Sequence, residues 1–346
     1  MKILYAVQAT GNGHIARAIE ILPYLKKYGE VDIFLSGSNS HLQVDLPVQY
    51  RSRGLSLFYS PQGKLDYWRI GKELQITGAI KEAMDLPVQK YDLVINDFES
   101  ITSLACRLRK KASIGFGHQA SFQSRLTPRP IKKDIMGETI LRYYGWAQQY
   151  VGLHFESYDE HIFNPIIKEK ILQATPRNDG HITVYLPHYG LNTLYKEFLA
   201  NKSVTFEIFS PFVSAAYTED NCRFFPVSND AFTNSMIQSE GVITGAGFET
   251  PAETMYLGKK LMVLPIRGQY EQLCNAAAME KKLVTVIEKI DDRFQYQLQK
   301  WLIAPPPPPL TITHSTEQLV RLVMERSMTA ADRYCDAGLT PLTAGI

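Results

Sequence analysis

A histidine stands at the end of a glycine turn, Gly11-Asn12-Gly13-His14-Ile15-Ala16, directly after the apolar run ILYAVQ at 3–8. An imidazole titrates near neutrality and can take a proton from a hydroxyl. The plainer role for His14 is to cap the helix that follows, although caps are usually Ser, Thr, Asp or Asn. Asp97 closes a second apolar run, YDLVINDF at 91–98. A carboxylate there would orient His14 and stabilise its imidazolium, the base-plus-orienter logic of hydrolytic triads with a substrate hydroxyl replacing serine. It would equally serve to cap the next helix. His118, after SIGFG at 113–117, is a third residue of this kind. A second glycine turn, Gly245-Ala246-Gly247-Phe248-Glu249-Thr250, opens another helical pattern. Its glycines permit close backbone approach, and the free N–H groups of the helix start suit a diphosphate. Glu253, one turn in, is placed to receive ribose hydroxyls.

The first turn also fits the loose dinucleotide fingerprint GxGxx(G/A). A nicotinamide enzyme would carry an acid at the end of its second strand, where this chain has Leu35-Ser36-Gly37. That reading is therefore kept only as an alternative.

These residues need elements to hold them. Strand-like runs and helical patterns alternate along the chain: ILYAVQ, a helix over 15–28 ended by Gly29, VDIFLSG, LSLFY at 55–59, a helical stretch to about 88, YDLVINDF, a helix over 100–110, SIGFGHQ, a helix near 137–150 and YVGLHFE. The rhythm restarts at HITVYLP (181–187) and runs through GVITGAG and KLMVLPI to LVTVI at 283–287. Such alternation predicts an α/β fold of two Rossmann-like domains with a cleft between them. The expected divisions are 1–165, 166–330 and a tail at 331–346 that crosses back over the first domain. The polar segment 157–179 reads as a hinge, and Pro305–Pro309 as an extended connector rather than a ligand for an SH3-type domain.

The chain has 346 residues, 45% hydrophobic and 21% charged, with a formal net charge of +2. That balance is of a globular protein and makes no electrostatic case for nucleic acid. Its four cysteines lack metal-ligand spacing, no acidic metal motif stands on a suitable loop, and no apolar run reaches a membrane span. The expectation is a cytoplasmic protein without metal or other cofactor. The segment QSRLTPRPIKKDIMGETILRYYGW (123–146) interleaves Arg125, Arg129, Lys132 and Lys133 with apolar residues, the pattern of a solvated face or of peripheral contact with an anionic lipid surface.

Residues 243–276, ITGAGFETPAETMYLGKKLMVLPIRGQYEQLCNA, resemble the donor signature of GT-B glycosyltransferases, including plant UDP-glycosyltransferases and the lipid II-forming N-acetylglucosaminyltransferase. Gly247, Thr250, Glu253, Gly258, Pro265, Glu271-Gln272 and Asn275-Ala276 follow in the family's order. The resemblance implies that Gly245, Gly247, Phe248 and Thr250 cradle the donor diphosphate, Glu253 the ribose, and Glu271 and Gln272 the transferred sugar. It implies that His14 is the base, Asp97 its partner, and Gly11, Gly13, Arg17 and His118 acceptor-side residues. Arg17 belongs to the pattern GxGHxxRA of one bacterial and archaeal branch. The implied reaction moves a sugar from a nucleoside diphosphate, with UDP expected, to a hydroxyl acceptor, a lipid-linked or other glycan of the cell envelope or a small molecule. Inversion without a metal ion is expected. Two departures stand out: Gly245 replaces a phosphate-binding histidine of the plant enzymes, and CRFFPVSND (222–230) replaces their uracil-stacking motif. A sugar-nucleotide 2-epimerase and a non-catalytic sugar-nucleotide or glycan binder are the alternatives within this architecture.

Overall fold

The computed structural model describes residues 1–10, 12–37, 44–54 and 76–336. Gly11, the run LSLFY and residues 337–346 of the tail lie outside them.

Two seven-stranded sheets form the molecule. The first contains β1 (Lys2–Gln8), β2 (Glu30–Ser36), β3 (Val48–Ser52), β4 (Leu93–Asp97), β5 (Ile114–Gly117), β6 (Gln149–Leu153) and β7 (Ile162–Phe163), in the spatial order β3-β2-β1-β4-β5-β6-β7. Every pairing in it is parallel. Ile3 through Val7 are fully buried, as expected where helices cover both faces and strands read as continuous apolar runs. Its helices are α1 (Asn12–Leu25), α2 (Ile76–Asp85), α3 (Ser100–Leu108) and α4 (Ile135–Tyr143). The strand order reverses direction at β1 and β4, so the crevice for a ligand opens at their carboxyl ends, where the His14 turn and Asp97 stand.

After the short helix α5 (Glu169–Leu172), the second sheet collects β8 (His181–Tyr185), β9 (Thr205–Ser210), β10 (Tyr217–Glu219), β11 (Cys222–Pro226), β12 (Gly241–Gly245), β13 (Lys260–Leu264) and β14 (Thr285–Val286). Their order is β10-β11-β9-β8-β12-β13-β14, with its own reversal at β8 and β12. β10 pairs antiparallel with β11; the sequence carries little signal for β10, whose three residues are all exposed. Helices α6 (Leu191–Leu199), α7 (Asn229–Gln238), α8 (Glu249–Tyr256), α9 (Tyr270–Glu280) and α10 (Phe294–Ile303) cover this sheet. The proline run leads from α10 to α11 (Thr316–Asp336), which packs on α1. Lys27 pairs with Glu317 at 2.6 Å there.

The connection at 157–179 is not the loose polar hinge expected from its composition. Ile162, Ile166, Ile167 and Ile171 are buried. One apolar cluster runs from Ile3 and Ile95 of the first sheet, through Ile167 and Ile171, to Val242 and Leu261 of the second and Leu319 and Val323 of α11. The backbone N–H groups of Arg177 and Asp179 donate to the carbonyls of Ile237 and Gln238 at 3.0 and 2.8 Å. An apolar core shared in this way opposes independent motion of the two halves.

Candidate active site

His14 lies in the first turn of α1, and its imidazole does not cap the helix. Its Nδ1 is 3.0 Å from Asp97 Oδ1. Asp97 is likewise not a cap: Glu99 takes that role for α3, accepting from the N–H groups of Ile101 and Thr102 at 2.8 and 2.6 Å. Phe98, at φ 56°, makes the turn that separates the two acids. Asp97 is thereby released toward His14 and Arg17.

Arg17 holds both oxygens of Asp97, with Nη2 at 2.7 and 2.8 Å and Nε at 3.1 Å from Oδ2. Burial alone would raise the Asp97 carboxyl, but Arg17 and His14 outweigh it and hold the group at about 2. Gly117 backs this cluster, since a Cβ there would stand 2.5 Å from Asp97 Oδ1, and its φ of +150° disfavours any other residue.

The far nitrogen of His14, Nε2, faces the amide nitrogen of Gln119 at 3.4 Å. That amide donates to Glu271 Oε1 at 2.9 Å. His14 Nδ1 stands 2.9 Å from Arg17 Nη2 as well as 3.0 Å from Asp97 Oδ1, and these two partners fix the ring with Nε2 turned away from them. Asp97 and Gln119 border a narrow crevice with Phe98, Gly117 and Gln123 at the edge of the first sheet.

The other guanidinium nitrogen, Nη1, donates to Glu249 at the start of α8. Through this bond the dyad reaches the second glycine turn, which opens on a cleft of about 550 Å³ between the sheets. Gly13 and Ala16 of α1 form one wall of that cleft; Gly245, Gly247, Phe248, Glu249, Thr250 and Gln272 form another. Helix α8 has no side-chain cap, so its first N–H groups are left for a ligand. A Cβ on Gly247 would meet nothing within 4 Å and its φ is ordinary, so no contact within the chain accounts for a glycine there. Tyr185, Phe209 and Phe232 supply an aromatic wall farther along.

Three expected site residues stand elsewhere. Glu253 is 2% exposed and does not line the cleft; burial raises its carboxyl to about 7, against the opposing pull of Lys168, whose Nζ is 3.3 Å away. His118 is fully buried rather than turned to an acceptor. It stacks on Phe248 with ring centroids 3.9 Å apart and faces the Leu153 carbonyl and Asn275 Oδ1 at 3.0 and 2.8 Å. Burial lowers its pKa, and the ring pins the two halves together. Glu271 faces Gln119 rather than the cleft. The sequence reading missed Gln119, Glu249 as an ion-pair partner, and Lys168. An amide beside a histidine and a lysine in a connection carry no pattern of their own.

The chain matches the glycosyl transferase family 1 profile over residues 1–306. It belongs to that family. Similar solved structures are the Acinetobacter baumannii MurG (15% identity, 95% of each chain, TM-score 0.51) and the Streptomyces nogalater glycosyltransferase SnogD (13%, 94% of this chain and 99% of that one, 0.51). Another is Arabidopsis thaliana UGT89C1 complexed with UDP (12%, 96% and 94%, TM-score 0.55). No curated protein matches the chain. At these identities the likeness establishes the GT-B fold, and the family profile establishes a glycosyltransferase.

Proposed function

We propose that this glycosyltransferase moves a sugar from a nucleoside diphosphate, UDP first among the candidates, to a hydroxyl acceptor with inversion. The observation that carries the proposal is the single guanidinium of Arg17, bonded to Asp97 on one side and to Glu249 at the donor turn on the other. It places a histidine–aspartate dyad one side chain away from an open helix start that can take a diphosphate. His14 Nε2 takes the acceptor proton as the oxygen attacks the anomeric carbon. Arg17, Asp97 and Glu249 together carry one net negative charge, which balances the imidazolium formed at that moment. The leaving diphosphate is met by the N–H groups of α8 without a bound divalent ion. Tyr185, Phe209 and Phe232 offer the nucleobase an apolar wall.

The acceptor side carries a further clue. Leu126, Ile131, Ile135, Met136 and Tyr143 are exposed large apolar residues, and Arg125, Lys132 and Lys133 are exposed beside them. Arg129 is turned inward to Glu138 at 2.6 Å. Among the described residues no helix is long and apolar enough to cross a membrane. This mixed face supports peripheral contact with an anionic, cytoplasmic membrane surface and a lipid-linked acceptor.

A thermal-shift screen of nucleoside diphosphates and their sugars tests the donor class, and nucleoside diphosphate release over an acceptor panel, with and without chelator, tests the reaction. Stabilisation by none of the diphosphates would overturn the proposal.

A further inference from the structure

We propose that Lys168 is the cationic contact of the donor diphosphate, held at its post by Glu253. This rests on the nucleotide-donor reading above. The described charged side chains lining the cleft are Lys168 and Glu249, and Glu249 is anionic and taken by Arg17. A diphosphate entering there meets Lys168 as the cation of a lining that also includes the start of α8, Ser228 and Asn229.

The ammonium is placed but not saturated. Its contacts are Glu253 Oε1 at 3.3 Å, Glu253 Oε2 at 3.4 Å and Asn229 Oδ1 at 3.4 Å. Charge-assisted bonds normally close to about 2.7–2.9 Å. An ammonium has three donors and a flexible stem, so it can turn one toward a phosphate oxygen while keeping the carboxylate. Lys168 caps Glu253 from the connection between the sheets, and its side chain is 18% exposed against 2% for the acid. The acid is therefore the inner member of the pair and the lysine the outer one, facing the cleft. A Cβ on Gly245 would meet only Gln272 Oε1 and the Leu264 carbonyl, at 3.6 and 3.8 Å, and the turn Gly245–Glu249 carries no basic side chain. Lys168 supplies from the connection the positive charge that this turn lacks.

The test compares UDP, dTDP and GDP with their parent nucleosides by calorimetry and competition, in wild type, Lys168→Met and the double variant Lys168→Met/Glu253→Gln. The double variant leaves no buried unpaired carboxylate, so a folding defect in the single variant does not obscure the result. Both variants should lose about 10-fold or more of diphosphate affinity, the scale of one charged hydrogen bond, while nucleoside affinity stays within about 2-fold. Equal losses for nucleoside and diphosphate, or recovery of diphosphate affinity in the double variant, would overturn the role of Lys168. Wild type binding none of the diphosphates would overturn the donor reading and this proposal with it.

Discussion

Arg17 on α1 and Glu249 on α8 form an ion pair across the cleft while the same guanidinium clasps Asp97. Asp97 is 1% exposed, so its charge depends on that arginine. Removing one partner of a buried pair leaves an uncompensated charge, which costs about 3–5 kcal/mol. Arg17→Ala should destabilise the protein by that amount in urea unfolding, and adding Asp97→Asn should recover much of it. A loss below about 1 kcal/mol would mean that water or rearrangement compensates Asp97.

Gly117 tests the same cluster sterically. The Cβ of Gly117→Ala would overlap Asp97 Oδ1, and the backbone is strained for alanine. We expect a stability loss of about 1–3 kcal/mol and a fall in turnover larger than the fall in donor affinity, because Asp97 is displaced and the α8 turn is not. Turnover and donor affinity falling together would place Gly117 in a purely structural role.

How much of this was legible in the sequence differs from residue to residue. Asp97 ends β4 and His14 opens the helix after β1; these strands pair in parallel, so their carboxyl ends lie together and the meeting of the two residues followed from the apolar runs. The second glycine turn and its uncapped helix start were legible because glycines and an open helix start need no distant partner. Glu253 was not: its burial is decided by Lys168, 85 residues away, arriving from the connection. His118 and Gln119 are adjacent in the chain, yet one is pinned on Phe248 and Asn275 and the other bridges His14 and Glu271. Only the docking of the two halves separates their roles.

Glu253 gives a pH signature. A carboxyl held at about 7 in the folded state, above its ordinary 4.5, binds a proton that the unfolded chain has released. Stability from this group is therefore full below about pH 4.5 and declines as pH rises toward 7, by about 3 kcal/mol at most. Glu253→Gln should match wild type near pH 4.5 and exceed it at pH 8, with the gap in melting temperature opening between. A gap independent of pH would show that Lys168 keeps Glu253 ionised throughout.

The shared apolar core and the cross-cleft bonds of Arg17 and His118 describe halves already docked. Small-angle scattering should therefore give the same radius of gyration with and without saturating nucleoside diphosphate. Contraction on binding would mean that the docked arrangement is reached only with ligand.

The central claim is that His14 removes the acceptor proton. The most direct measurement is nucleoside diphosphate release from a sugar nucleotide with a hydroxyl acceptor, in wild type and His14→Ala, alongside donor affinity for both. Donor affinity should be nearly unchanged and acceptor-dependent release should fall about 100-fold or more, the usual worth of a general base. Asp97→Asn should be milder and should shift the pH–rate profile. Full acceptor-dependent turnover by His14→Ala at neutral pH would contradict the account.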